Sequence, residues 1–179
     1  MMRVALLVLL LPLSVVAADY RVDTTQSQLG FVGSVQGEAF EGHFSAFAAD
    51  IRFDPEALAD SRFEVRIDLG SADSQNEERD STLKGEDFFA VERIPQARYT
   101  ATRFRRLDAD RFVADGELSL RGITRPVSLS FRWTPGNPAR LDGEAELARL
   151  DFSVGAGEWA DEDTIANAVR VFTSLRLTP

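Results

Sequence analysis

Apolar residues recur at every second position through most of this chain, and that period constrains the fold more than any other feature. Phe63, Val65, Ile67 and Leu69 alternate with Glu64, Arg66 and Asp68. Ala114, Gly116, Leu118 and Leu120 alternate with Asp115, Glu117, Ser119 and Arg121, and Val127, Leu129, Phe131 and Trp133 with Ser128, Ser130 and Arg132. Leu141, Gly143, Ala145 and Leu147 repeat the pattern, as do Val169, Val171, Thr173, Leu175 and Leu177. A period of two sends successive side chains to opposite faces of a strand, so one face is buried and the other wet. Faces this clean fix register, because a one-residue slip would turn every apolar side chain to water.

Turn signals separate these runs at Asp54-Pro55, Leu69-Gly70, Arg121-Gly122 and Thr134-Pro135-Gly136-Asn137-Pro138. Between Phe40 and Phe53 the alternation slips. Phe40, Gly42, Phe44 and Ala46 share one phase, and Phe47, Ala49, Ile51 and Phe53 the other. A bulge near Ala46–Phe47 accounts for the slip, and so does a strand bending round a barrel corner. Leu150, Phe152 and Val154 show a similar change of phase after Leu147. One helix is expected, over 75–84, with Ser74 and Glu77 as a capping box and Asp80 with Lys84 as an i,i+4 ion pair. Its one strong apolar residue is Leu83, so it lies on the surface or covers an opening.

Several antiparallel strands in one domain leave a sandwich or a barrel. Many inward positions are small (Gly42, Ala46, Ala114, Gly116, Gly143, Ala145). A sandwich core prefers large interdigitating side chains. A barrel of about eight strands leaves internal space when small residues face in. The expectation is therefore an all-β antiparallel barrel of about eight strands, with one short helix covering an opening.

Residues 1–18 are expected to be a cleavable signal peptide. Arg3 gives a short positive start, Val4 to Val16 is apolar apart from Pro12 and Ser14, and Val16-Ala17-Ala18 supplies small residues for cleavage before Asp19, with a cut after Ala17 as the alternative. Thirteen apolar residues rise about 20 Å as a helix, short of the ~30 Å hydrocarbon core, which disfavours the alternative of an uncleaved anchor. Residues 19–179 then form one domain, expected in the bacterial periplasm, and losing Arg3 takes the formal net charge from −9 to −10.

Composition narrows the chemistry. Absence of cysteine removes disulfides, thiolate nucleophiles, Cys-ligated metal and a lipid-anchored N-terminus. The single histidine, His43, lies out of phase with Gly42 and Phe44 and so points outward, and no metal site is expected. An acidic balance argues against nucleic acid, which needs a basic face. Asp and Glu total 29, so close carboxylate pairs arise by chance, and no G-x-S-x-G occurs. No catalytic residue is assigned.

Four ordered segments resemble the YceI-like family: Phe40-Glu41-Gly42-His43-Phe44-Ser45-Ala46-Phe47 running on to Ile51-Arg52-Phe53-Asp54-Pro55; Arg79-Asp80-Ser81-Thr82-Leu83-Lys84-Gly85-Glu86-Asp87-Phe88-Phe89 with Pro95 downstream; Asp115-Gly116-Glu117-Leu118-Ser119-Leu120-Arg121-Gly122-Ile123-Thr124-Arg125-Pro126-Val127; and Arg149-Leu150-Asp151-Phe152-Ser153-Val154-Gly155-Ala156-Gly157-Glu158-Trp159-Ala160. The last resembles a branch whose members are encoded beside, or fused to, membrane b-type cytochromes. The resemblance implies a lipocalin-like barrel whose elongated apolar cavity holds an isoprenoid chain, such as a polyprenyl phosphate or a quinone tail. It offers a membrane b-type cytochrome as a candidate partner. Thr82 and Gln26 stand where many members carry histidine, and Ala49 where glycine is common.

On these grounds the ligand-binding candidates are Phe31, Phe40, Phe44, Phe47, Val65, Ile67, Leu83, Phe88, Phe89, Leu118, Leu129, Phe131 and Trp159. Each ring alone could simply fill a core. Together they would take up an apolar chain, because each buried methylene contributes about 0.8 kcal/mol. At about 0.3 kcal/mol per heavy atom, a forty-carbon chain reaches roughly 12 kcal/mol, a nanomolar affinity. Arg79, Asp80 and Lys84, the only lysine, are candidates for a polar mouth, with a solvated helix face as the plainer reading. Glu158-Trp159-Ala160-Asp161-Glu162-Asp163 lacks the spacing of an EF-hand loop and reads as an acidic loop anchored by Trp159, or as a docking surface. The leading expectation is a periplasmic carrier of a lipophilic isoprenoid or quinone, with no covalent cofactor. The alternatives are an accessory or stress protein acting through the 155–163 loop, and a small carboxylate-based hydrolase.

Overall fold

A computed structural model describes residues 18–179, so the expected signal peptide lies, apart from Ala18, outside the described residues. The alternating runs form strands β1 (Ala18–Val22), β2 (Gln28–Val35), β3 (Glu38–Phe44), β4 (Phe47–Phe53), β5 (Arg62–Asp68), β6 (Ala72–Asp73), β7 (Gln96–Arg106), β8 (Arg111–Leu120), β9 (Ile123–Thr134), β10 (Ala139–Ala148) and β11 (Ala168–Thr178), with one helix, α1 (Glu77–Lys84). All pairings are antiparallel, and β1 pairs both β4 and β11, which closes the sheet.

The closed barrel has eight staves, because three of them are broken strands. β1 and β2 both pair with β11, through Arg21 with Thr178 and Gln28 with Ser174. β3 and β4 form the next stave and β5 with β6 the third, Phe47 facing Ile67 and Phe44 facing Ala72. The phase slip between Phe40 and Phe53 is therefore a bend at Ser45–Ala46, where the chain turns the barrel corner. The change of phase after Leu147 has another cause: β10 ends at Ala148, and a 3-10 turn over Arg149–Phe152 replaces the strand.

Helix α1 differs from expectation at its cap. Asn76, not Ser74, is the N-cap, and its side-chain oxygen accepts from the Arg79 N–H at 2.9 Å. Ser74 donates instead to Asp80 Oδ1, from its hydroxyl at 2.5 Å and its N–H at 2.9 Å. Asp80 is thereby turned to Ser74 in place of the expected ion pair with Lys84.

Aromatic packing closes one end of the barrel. Phe53 touches Phe112, Phe131 and Trp133 at ring-centroid distances of 5.1, 5.2 and 4.9 Å, Phe63 lies 4.8 Å from Phe104, and Tyr20 caps Trp133 at 5.2 Å. Phe53, Phe63 and Phe112 are each 1 % exposed. Edge-to-face rings of this kind add about 0.5–1.5 kcal/mol per pair beyond their buried area.

The wall is split on one side toward the other end. β9 and β10 pair only from Thr134 with Arg140 to Ser130 with Glu144, so 123–129 of β9 keeps β8 as its one ladder neighbour. Pro126 lies in that stretch, where a residue without an N–H is tolerated because one side of the strand has no ladder to serve.

Candidate functional site: a blind apolar cavity

Above the aromatic plug the barrel encloses a cavity of about 510 Å³, inside the ~300–1,000 Å³ range of small-molecule pockets. Its floor includes Phe63, Ile51 and Leu141, and its wall alternates round the barrel through residues such as Val65, Ile67, Leu118 and Leu129. Near the mouth Phe31, Phe44 and Phe89 form a ring cluster, with centroids 5.4 Å apart for Phe31–Phe44 and 6.1 Å for Phe44–Phe89. The segments 33–35, 76–82 and 159–166 bound the opening. Val35 and Trp159, two large apolar side chains left exposed at 37 % and 41 %, both line it.

Of the candidates read from sequence, Phe31, Phe40, Phe44, Phe47, Val65, Ile67, Leu83, Phe88, Phe89, Leu118, Leu129 and Trp159 line the cavity. Phe131 does not. It shares the inward phase of β9 but lies nearer the closed end, 5.7 Å from Phe112 in the plug. At the mouth Arg79 is a lining residue, while Asp80 and Lys84 are not. His43 lies on the outer surface, its Nε2 2.9 Å from Glu41.

Most of the small inward residues expected to leave the space do not line it. Gly42, Ala114, Gly116 and Gly143 are absent from its lining, and Ala46 is exposed at the strand break. A Cβ on Gly42 would stand 2.5 Å from Phe31 Cζ, and one on Gly116 2.7 Å from Tyr99 Cζ. These glycines seat neighbouring rings against the wall, and of the six positions only Ala145 faces the space.

Two buried polar residues that sequence reasoning passed over, Tyr99 and Arg149, also belong to the lining. Tyr99 lies against the wall, its hydroxyl donating to the Ala114 carbonyl at 2.9 Å, and burial pushes its phenol well above the usual range. Arg149 is 5 % exposed, and its guanidinium donates to five backbone carbonyls: Ala166 (3.2 Å), Val154 (3.0 Å), Gly155 (2.5 Å), Trp159 (2.9 Å) and Ile165 (2.8 Å). Five N–H groups are all that arginine has, so Arg149 staples the 153–166 loop over the barrel. Burial pushes its pKa down, opposed by the charge of Glu162. Trp159 completes the closure, with its ring 5.7 Å from Phe88 and its Nε1 donating to Asp87 at 3.3 Å.

Glu78 is the one carboxylate that lines the cavity among the described residues. The paired carboxylates that a hydrolase of this design requires do not form there.

A closed eight-stranded barrel with a plugged base, a helix at the rim and an apolar interior defines the lipocalin-like class of β-barrel. Within that class the chain belongs to the YceI-like family, whose domain model matches residues 20–177. It is 36 % identical over 161 residues to a UPF0312 protein of Shewanella denitrificans, an alignment covering 82 % of each chain. It is 31 % identical over 153 residues to Protein YceI of Escherichia coli O157:H7, covering 79 % of this chain and 78 % of that one. Among solved structures it is similar to Burkholderia cenocepacia BcnA, with a TM-score of 0.84 at 26 % identity over 88 % of this chain and 99 % of the other. A polyisoprenoid-binding domain from Saccharophagus degradans shares the fold, with a TM-score of 0.69 at 18 % identity over 89 % and 97 % of the two chains.

Proposed function

We propose that this barrel is a periplasmic isoprenoid-binding protein that holds a polyprenyl chain or quinone tail in its cavity. One observation carries the reading: a deep cavity, blind at the aromatic plug, is lined by apolar side chains on every stave and opens beside exposed Val35 and Trp159. Such a space favours an unbranched or repeating apolar chain inserted tail first, with its polar end left at the rim. The fold shared with a domain described as polyisoprenoid-binding supports the same reading. A solidly packed interior would have favoured the accessory-protein alternative, and the interior is not solidly packed.

In its finer form the reading has the mature domain carrying or sequestering a quinone after export, with a membrane b-type cytochrome as the partner it serves. Cysteine is absent and His43 is exposed, so any electrons would travel on the ligand and not on the protein.

The test is native mass spectrometry of protein purified from its own periplasm, followed by solvent extraction and titration with a C40 polyprenol. A bound lipid with an isoprenoid fragmentation series is expected, and emptied protein should bind the polyprenol at submicromolar concentration. Repeated recovery of empty protein that takes up neither polyprenol nor quinone would overturn the reading.

A further inference from the structure

We propose that the mouth selects an isoprenoid whose head carries no charge, an alcohol or a quinone, and discriminates against the phosphorylated form. The inference rests on the isoprenoid-binding reading and adds the class of head group. Two sets of observations lead to it.

Among the described residues the two cations that line the mouth, Arg79 and Arg149, are both held by the protein itself, and only Arg79 keeps N–H groups without a protein partner. Arg79 lines the opening, but its Nε donates to Ser74 Oγ at 2.8 Å, its Nη2 to the Ser74 carbonyl at 2.9 Å, and its guanidinium lies 4.3 Å above the Phe40 ring. Arg149 spends all five donors on backbone carbonyls. Lys84 is not part of the lining, and His43 is turned to Glu41 on the outer face. The start of α1, where a helix ordinarily attracts an anion, is capped by Asn76 and carries Glu77, Glu78 and Asp80 in its first turn. The helix has already supplied its own anions.

The rim is also repulsive. Three carboxylates on α1 and four on the facing segment, Glu158, Asp161, Glu162 and Asp163, stand against Arg79 and Lys84 as the only cations of those two segments. A phosphate at the opening would give up water in the field of these carboxylates, with Glu78 in the lining itself and Arg79 as the one lining cation that keeps unspent N–H groups to replace its hydration. A hydroxyl or carbonyl head meets different partners, since Asn76, Thr82 and Ser34 line the same opening and Glu78 can accept from an alcohol. The site that repels an anion therefore still satisfies a neutral polar group.

Three probes with one tail length separate the possibilities: a C40 polyprenol, its monophosphate and a quinone with the same tail, titrated into emptied protein by tryptophan fluorescence. The polyprenol and the quinone are expected to bind at least about tenfold more tightly than the monophosphate at low salt. That gap should narrow as ionic strength shortens the Debye length from ~30 Å to ~8 Å. A Glu77→Lys, Glu158→Lys variant should lower the ratio of polyprenol to monophosphate affinity. Monophosphate binding equal to or tighter than the polyprenol, or a ratio that ignores both salt and charge reversal, overturns the head-group inference alone. Failure of all three probes to bind overturns the isoprenoid reading beneath it.

Discussion

Gly116 shows how a single missing side chain positions the wall. A Cβ there would stand 2.4 Å from the Thr100 carbonyl oxygen and 2.7 Å from Tyr99 Cζ and Oη, so the ring and its hydrogen bond to Ala114 depend on the glycine. Gly116→Ala is expected to cost about 1–3 kcal/mol, the range for overpacking, read as a lower urea midpoint with an unchanged slope. A second residue-scale expectation concerns acid. Hydrogen bonds from Arg105 (2.6 and 3.0 Å) and then Ser128 (2.7 Å) hold the Asp115 carboxyl down at about 2. A depressed carboxyl stabilises above its unfolded pKa, about 3.9, and that contribution is lost as pH falls toward 2. The Tm gap between the wild type and Asp115→Asn should be full at pH 6 and close between about pH 4 and pH 2. A gap that stays constant across that window would show that the carboxylate charge is not what matters.

At the scale of elements, alternation was legible wherever large apolar residues fill the inward phase, as in β5, β8, β9 and β11. It was silent for β7, whose inward residues Ala97, Tyr99 and Ala101 carry too little contrast against Arg98 and Thr100. It also could not show how deep along a strand a residue lies. Phe131 and Leu129 share one face of β9, yet one is plug and the other is cavity wall. Leu147, Val169 and Val171 line the cavity in phases the sequence already displayed. Arg149 had no signal, because a charged residue beside Leu150 reads as solvent-exposed until five loop carbonyls converge on it. The split between β9 and β10 is likewise an element-scale property. Amides of 123–129 directed at β10 have no ladder partner there, so hydrogen exchange should find them markedly less protected than those of 130–134 directed at the same strand. Equal protection across the whole of β9 would mean that the ladder closes in solution.

The whole molecule divides into a base that carries stability and an open end that carries selectivity. The base holds buried rings packed at 4.9–5.7 Å with almost no exposure, whereas the rim holds the acidic helix, the stapled loop and the exposed Trp159. A barrel built this way can keep an apolar interior without collapsing, because the plug fixes the diameter and the wall glycines accept rings in place of filling the centre. Two substitutions separate these duties. Phe131→Ala removes a plug ring and should cost about 3–5 kcal/mol of stability, with the cavity wall left in place. Ala145→Phe puts a ring into the space between Leu129 and Leu147 and should leave Tm within a few degrees of the wild type, while polyprenol affinity falls at least about tenfold, or 1.4 kcal/mol. Thermal scans and polyprenol titrations on both variants check this. If Ala145→Phe binds as the wild type does, the chain lies elsewhere in the barrel. If Phe131→Ala loses binding with no loss of stability, the base is part of the site, and the cavity is deeper than its lining shows.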